Sequence, residues 1–167
     1  MLLVVLDLNM KHVFVAGLIL VGFTVSQGAS AATQTSQIAA SATVTTVCSL
    51  TATTLPFSEV ALAAVTDGSG TVAVTCTNGG AYNVGLDYGL NAVSTQRNLI
   101  SGTNILHYGL FSDANYSVPW GNVVGTSTVN GTGNGAEQDL TVYGQIASGQ
   151  TITTGSYTDT VTVTVTY

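Results

Sequence analysis

The sequence predicts an all-β protein built as a two-sheet sandwich, and three observations carry this prediction. Short runs rich in β-branched and aromatic residues alternate apolar and polar side chains, as strands with one buried face do. Turn sequences rich in glycine and asparagine separate these runs. No segment places apolar residues at helical spacing against a polar face, so we expect negligible helix.

Five runs of the chain are predicted as strands. The run TVAVTC alternates and is followed by a turn at NGG, and AYNVGLDY then places its large apolar side chains on one face. The predicted strands are residues 71–76, 81–88, 104–111, 139–146 and 156–167. The glycine-rich stretch 125–138 contains Asn-Gly twice and is predicted as a loop or hairpin region.

The N-terminus has the features of a secretory signal peptide. A lysine–histidine pair precedes an uncharged apolar run at residues 13–25, and the small residues ASA follow at 29–31. The run is shorter than the roughly 20 residues that span a bilayer. An aspartate ahead of the basic pair suits a signal peptide badly, so we expect translation to begin at Met10. We expect residues 1–31 to be removed, with no membrane insertion of residues 32–167 afterwards; a buried N-terminal helix is the alternative.

Charge is scarce in this chain. Charged residues make up 6% of it, against about 25% in an ordinary soluble protein. Beyond residue 31, seven acidic residues and the single cation Arg97 leave a net charge of −6. Nucleic acids and anionic membrane surfaces are excluded as partners, because their phosphates would find almost no cations. A surface of uncharged polar residues suits a protein that packs against copies of itself, since few ionic groups are then buried.

The two cysteines, Cys48 and Cys76, are predicted to form one disulfide. An even number of cysteines in an exported chain favours this pairing. A metal site is the rival interpretation, but zinc takes about four cysteine or histidine ligands. His107 is the one further candidate beyond residue 31, so no metal site is predicted.

No catalytic or cofactor-binding site is predicted either, and we do not expect an enzyme. His107 lies in an apolar run and is predicted as a packed or hydrogen-bonded strand histidine. Glu137 and Asp139 are predicted to be solvated side chains rather than the carboxylate pair of a glycosidase. Trp120 is predicted to plug one end of the sandwich, and stacking against a sugar is the alternative for it.

Two further stretches have the alternation of strands and are open to pairing with another strand. In residues 33–50, small apolar side chains occupy alternate positions; they are Ile38, Ala40, Ala42 and Val44. Alanine buries little area, so this stretch fits a narrow groove between two sheets, or else is an ordinary first strand of the same domain. The final run GSYTDTVTVTVTY lacks the lysine and proline that protect a strand edge from pairing with other chains, and it is uncharged from residue 160 onward.

The order of these pieces resembles a known family. A cysteine follows an alternating arm, and then come TVAVTCTNGGAYNVGLDYG, ILHYGLFSD, PWGN, LTVYGQIASGQ and GSYTDTVTVTVTY. This order is similar to that of the spore coat protein U-like family, which includes pilin subunits of archaic chaperone–usher pili. The resemblance covers about residues 38–167.

The resemblance implies an immunoglobulin-like β-sandwich, residues 48–167, that lacks its last strand. It further implies a donor-strand arm at residues 32–47, which enters the groove of the next subunit by β-strand addition. Before that, a periplasmic chaperone fills the groove with its own strand, and an outer-membrane usher is where the exchange takes place. The arm residues implied to enter the groove are Ile38, Ala40, Ala42 and Val44. The valines implied to border the groove are Val161, Val163 and Val165.

The implied function is that of a structural subunit of a surface pilus, which forms homopolymers and serves adhesion and biofilm formation. The chain would pass through the periplasm to the cell surface. A protective coat protein of a spore-like cell is one alternative. A secreted sugar-binding module that uses Trp120, Tyr116 and Tyr143 is another.

Overall fold

The computed structural model describes residues 30–60, 63–151 and 153–167. Within these residues the chain has eight β-strands and no helix. The strands are β1 (Cys48–Ala52), β2 (Thr66–Cys76), β3 (Ala81–Leu86), β4 (Arg97–Ser101), β5 (Asn104–Phe111), β6 (Val129–Thr132), β7 (Glu137–Ile146) and β8 (Val163–Thr166). The predicted signal peptide lies outside the described residues, except for its last two positions.

The strands form two antiparallel sheets that share one core. The larger sheet has the order β1-β2-β7-β5-β4, and the smaller has the order β6-β3-β8. Alternate residues of β2, β5 and β7 from the first sheet and of β3 from the second are buried together. The fold is therefore an all-β, immunoglobulin-like sandwich, as predicted, and residues 42–167 form one compact unit.

Several strand bounds depart from the predicted ones: β2 begins at Thr66 rather than at residue 71, β3 ends at Leu86 rather than at residue 88, and β7 begins at Glu137 rather than at residue 139. The last strand was predicted as 156–167, but β8 is only Val163–Thr166, because the chain before it bonds to a turn and to β4 through isolated contacts. The predicted loop 125–138 contains β6, which pairs with β3. Strand β4 had not been predicted, because Arg97 and Asn98 interrupt any apolar alternation there; the structure buries both side chains.

The predicted disulfide is present. Cys48 and Cys76 are directly opposite each other in the register of β1 and β2, and their sulfur atoms are bonded. The bond ties the start of β1 to the end of β2, which is the point where the N-terminal residues join the sandwich.

The two cysteines are separated by 28 residues in the sequence. Replacing both with serine is expected to lower the free energy of unfolding by about 3–4 kcal/mol, because the disulfide closes a loop of that length in the unfolded chain. Urea unfolding of the Cys48→Ser, Cys76→Ser variant measures the change, with the reduced wild-type chain as a control that should behave like the variant. An unchanged midpoint would contradict the prediction.

Trp120 is buried in the core, with 1% of its surface exposed. Its indole N–H donates to the carbonyl of Val84 over 2.8 Å, so the polar atom of the ring is satisfied. The alternative of a sugar-stacking role for Trp120 is wrong, because no face of the ring reaches solvent.

The one cation beyond residue 31, Arg97, is also buried, with 5% exposed. Its Nη2 donates to the carbonyls of Leu86, Asp87 and Trp120 at 3.1, 2.6 and 2.8 Å, and its Nε donates to Asp87 at 3.0 Å. The guanidinium carbon lies 5.1 Å from the centre of the Tyr88 ring. Burial lowers the pKa of Arg97, because desolvation disfavours the cation. Arg97 therefore joins the end of β3, the start of β4 and the Trp120 segment.

Candidate functional site

The residues with catalytic potential are scattered. His107 is exposed on β5, and its Nδ1 lies 2.7 Å from Asn98 Oδ1, so it is a hydrogen-bonded strand histidine, as predicted. Glu137 and Asp139 are exposed on β7. Across the described ranges, no group of three His, Cys, Asp or Glu side chains could hold a metal ion. No helix long and apolar enough to cross a membrane occurs among the described residues.

A cavity of about 940 Å³ opens into the core between the two sheets. Its inner wall consists of core side chains; they are Val72, Leu86, Leu106, Leu110, Val142 and Ile146. Protein interiors are close-packed and rarely contain voids larger than a water molecule. A cavity of this size is in the range of ligand-binding pockets.

Two segments border the cavity and are named here for that position. The first lip is residues 52–60, which follow β1, and the second lip is residues 153–163, which lead into β8. Of the described residues that line the cavity, only Glu59 and Asp159 are charged. The cavity and its two lips together are called the groove.

The first lip is seated on a glycine. A Cβ atom placed on Gly144 would lie 2.7 Å from a methyl of Leu55 and 2.9 Å from the ring of Phe57. Both side chains are half-buried against the core, and Phe57 meets the Tyr108 ring edge-on at 5.9 Å. A larger residue than glycine at position 144 would push the first lip outward and widen the groove.

The second lip and β8 alternate as their sequence does. Val161, Val163 and Val165 are half-buried against the core, and the threonines between them are exposed. Among the described strands, β8 pairs only with β3 and β1 pairs only with β2. Strands β1 and β8 lie close to each other across the sandwich, and each has one backbone edge with no partner strand among the described residues.

The residues before β1 carry no helix or strand from Ser30 to Val47, and all of them except the half-buried Thr46 are exposed. Ile38 is 96% exposed and Val44 is 82% exposed, and Ala40 and Ala42 are exposed as well. These side chains therefore contribute nothing to the core of the sandwich. Strand β1 begins only at Cys48, so residues 33–47 do not form its first strand.

Polar contacts behind the second lip carry little signal in the sequence. Asp87 Oδ1 accepts hydrogen bonds from the amides of Gly89 and Thr162, at 2.9 and 2.8 Å. Burial alone would raise the pKa of Asp87, but these hydrogen bonds favour the carboxylate and bring the pKa below its usual value. The pattern Asp-x-Gly suggests a local turn, but nothing in the sequence connects Asp87 with a residue 75 positions later.

Comparison with known proteins places the chain in a family. The family model of the Spore Coat Protein U domain matches residues 33–164. The chain is 35% identical over 109 residues to Protein U of Myxococcus xanthus, and the match covers 60% of each. A further match is a chain in the CsuC–CsuE chaperone–tip adhesion subunit pre-assembly complex, from the archaic chaperone–usher Csu pili of Acinetobacter baumannii.

The likeness to that complex has a TM-score of 0.57 and 26% identity over 75% of this chain. The chain spans 60% of the length of Protein U and 40% of the matched chain of the complex. The family model covers most of the chain, from the exposed arm to the last strand. The chain belongs to the Spore Coat Protein U domain family.

Proposed function

We propose that the chain is a structural subunit of a surface pilus, assembled by donor-strand exchange through a chaperone and an usher. The observation that carries this proposal is the presence, in one chain, of an open apolar groove and an exposed arm with small apolar side chains. The likeness to a chaperone–subunit complex from chaperone–usher pili supports it.

The groove suits an extended strand better than a compact ligand. A strand laid between the two lips can pair its backbone with the unpaired edges of β1 and β8, while every second side chain points to the inner wall. Ile38, Ala40, Ala42 and Val44 recur with this period and span about 20 Å in a strand. They would fill the cavity with apolar groups and remove their own exposed surface from water.

We assign the donor arm to a second copy of the chain. Val47 exchanges hydrogen bonds with Thr77, with its N–H donating to the hydroxyl at 3.1 Å and its carbonyl accepting from the amide at 3.0 Å. The residue before Cys48 therefore extends β1 at its N-terminal end, whereas the first lip follows β1 at its C-terminal end. To enter its own groove, the arm would have to reverse direction immediately next to the disulfide.

The same groove accounts for the partners and the route that we propose. A periplasmic chaperone would hold the groove with its own strand, and an outer-membrane usher would mediate the replacement by the arm. Residues 1–31 would contain the signal peptide that directs export, and translation would begin within them, at Met10. Residues 32–47 would form the arm, and residues 48–167 would form the pilin domain. The finished homopolymer would lie at the cell surface and serve adhesion and biofilm formation. Cofactors play no part in this proposal.

A protective coat protein is a second candidate, favoured by the family's name and by the similarity to Protein U. It would use the same groove and arm to form its polymer. Negative-stain microscopy of cells that express the chain with its neighbouring genes distinguishes the two, because a pilus appears as thin fibres and a coat as a continuous layer.

Deleting residues 33–44 is expected to abolish polymers of the chain, because the apolar side chains of the arm are then missing while the sandwich keeps its core. The measurement is the ladder of SDS-resistant oligomers that strand-exchanged subunits form. A labelled peptide of residues 33–47 should still bind the shortened chain.

A matched pair of single substitutions in the arm provides the control. Ala42→Asp would bury an unpaired carboxylate in the groove and should remove the ladder, whereas Ser41→Asp points away from the inner wall and should leave it. Normal polymerisation of the shortened chain would show that this arm is not the donor.

A further inference from the structure

We propose that Asp87 and Asp159 are positioning residues that hold the second lip in place for the incoming strand. This inference rests on the proposed function, since it assigns the two aspartates a part in strand capture. Asp87 acts on the backbone of the lip through the Thr162 amide, whereas Asp159 lies on the groove and acts through Tyr108 and Asn91.

The second lip is bonded along its back. Thr158 exchanges two backbone hydrogen bonds with Ile100 of β4, both at 3.0 Å. The carbonyl of Thr160 accepts from Leu90, and that of Thr162 accepts from Asp87, each at 3.0 Å. The Thr162 amide donates to the Asp87 carboxylate at 2.8 Å. The second lip is therefore hydrogen-bonded to β4 and to the turn that follows β3.

Asp159 fastens the lip to the core wall. It shares the inward parity of Val161 and is half-buried on the groove. Its Oδ2 accepts a hydrogen bond from the hydroxyl of Tyr108 at 2.7 Å, and its Oδ1 accepts from the amide and side chain of Asn91 at 3.2 and 3.0 Å. A carboxylate in an apolar groove is unfavourable unless it is bonded, and here it is bonded to both the core wall and the turn.

Without this restraint, the lip would be expected to close over the empty cavity. Tyr157, Val161 and Val163 are only half-buried, and they would bury more apolar surface by moving onto the inner wall. A collapsed lip would cover the edge with which the donor must pair. A restrained lip also leaves less backbone to be ordered during capture, which favours binding.

Gly89, in the turn after β3, also packs closely against the Asp159 carboxylate. Its φ is +86°, and a Cβ atom added there would collide with the Asp159 carboxylate. Gly89→Ala would therefore displace the Asp159 carboxylate without changing any residue of the second lip. Gly102 is a matched control, because its φ is +62° but the space around it is open.

The test is capture of a fluorescent peptide of residues 33–47 by the full chain, diluted until it is monomeric and followed by anisotropy. Asp159→Ala and Gly89→Ala are expected to bind the peptide about tenfold more weakly, as the loss of hydrogen bonds to a carboxylate implies. Asp159→Asn, which keeps an acceptor for Asn91, and Gly102→Ala should stay within about threefold of wild type.

Hydrogen exchange at the amides of Thr158 and Thr162, which donate to Ile100 and Asp87, provides an independent measurement. These amides should exchange faster in Asp159→Ala and Gly89→Ala, while those of β2 and β7 keep their protection. Equal peptide affinity in wild type and both variants would overturn the positioning role and leave the proposed function standing. If the amides of β2 and β7 also lost protection, the weaker peptide binding would result from overall destabilisation, and the positioning role would be overturned. If the wild-type chain captures no peptide, the proposed function fails, and the positioning role fails with it.

Discussion

Val163→Asp is expected to abolish incorporation of the chain into SDS-resistant polymers, whereas Thr164→Asp should leave it nearly unchanged. Val163 lines the groove and packs against the core, and its neighbour on β8 is exposed. A filled groove would enclose the new carboxylate without a partner, and an isolated buried charge costs several kcal/mol even after the protein relaxes, roughly the scale of a whole domain's stability. The donor arm carries no cation in the residues we assign to the groove.

Thr164 is a better control than Thr162, because the amide of Thr162 is bonded to the Asp87 carboxylate and a second carboxylate there would be repelled. The measurement is co-purification of each variant with the chaperone, followed by the oligomer ladder. Circular dichroism of both purified variants checks that the sandwich is present. Equal assembly of the two variants would show that the side chains of β8 do not face the donor, and the role proposed for Val161, Val163 and Val165 would then be wrong.

Arg97→Met is expected to lower the free energy of unfolding by about 3–5 kcal/mol, because it removes several hydrogen bonds from a charged donor to backbone carbonyls inside the sandwich. The guanidinium donates to the carbonyls of Leu86, Asp87 and Trp120, and methionine would leave them without these donors inside the sandwich. The charge of Arg97 also offsets the carboxylate of Asp87.

Urea unfolding followed by Trp120 fluorescence measures this loss, because the indole lies next to the arginine's hydrogen bonds. The neighbouring substitution Gln96→Met is the control. Gln96 is exposed and makes hydrogen bonds to the carbonyls of Arg97 and Tyr108, so its replacement should cost about 1 kcal/mol or less. A loss from Arg97→Met no larger than that of the control would mean that the buried cation is dispensable.

Much of the sandwich could be predicted because strand periodicity is local. Strand β5 has the predicted bounds, since Leu106, Tyr108 and Leu110 repeat every second residue and all three are buried. The same periodicity placed the valines of the last strand on the core side. The disulfide followed from an even cysteine count, and the structure adds that the two residues are paired across β1 and β2.

The groove itself was implied by the resemblance, not by any residue pattern. Its first lip had no signal in the sequence, because Leu55 and Phe57 are seated through contacts with Gly144, nearly 90 positions along the chain. Local alternation says nothing about which distant backbone leaves room for a side chain.

By itself, then, the sequence determined the fold class, the inward face of most strands and the cysteine pair. Only the tertiary structure decided which contacts Arg97 and the scattered acidic residues make. Arg97 would ordinarily be expected at the surface, and it is buried because three carbonyls converge on it from separate segments. Asp87 and Asp159 reach their partners across the fold, because hydrogen bonds depend on distance in space and not on separation along the chain.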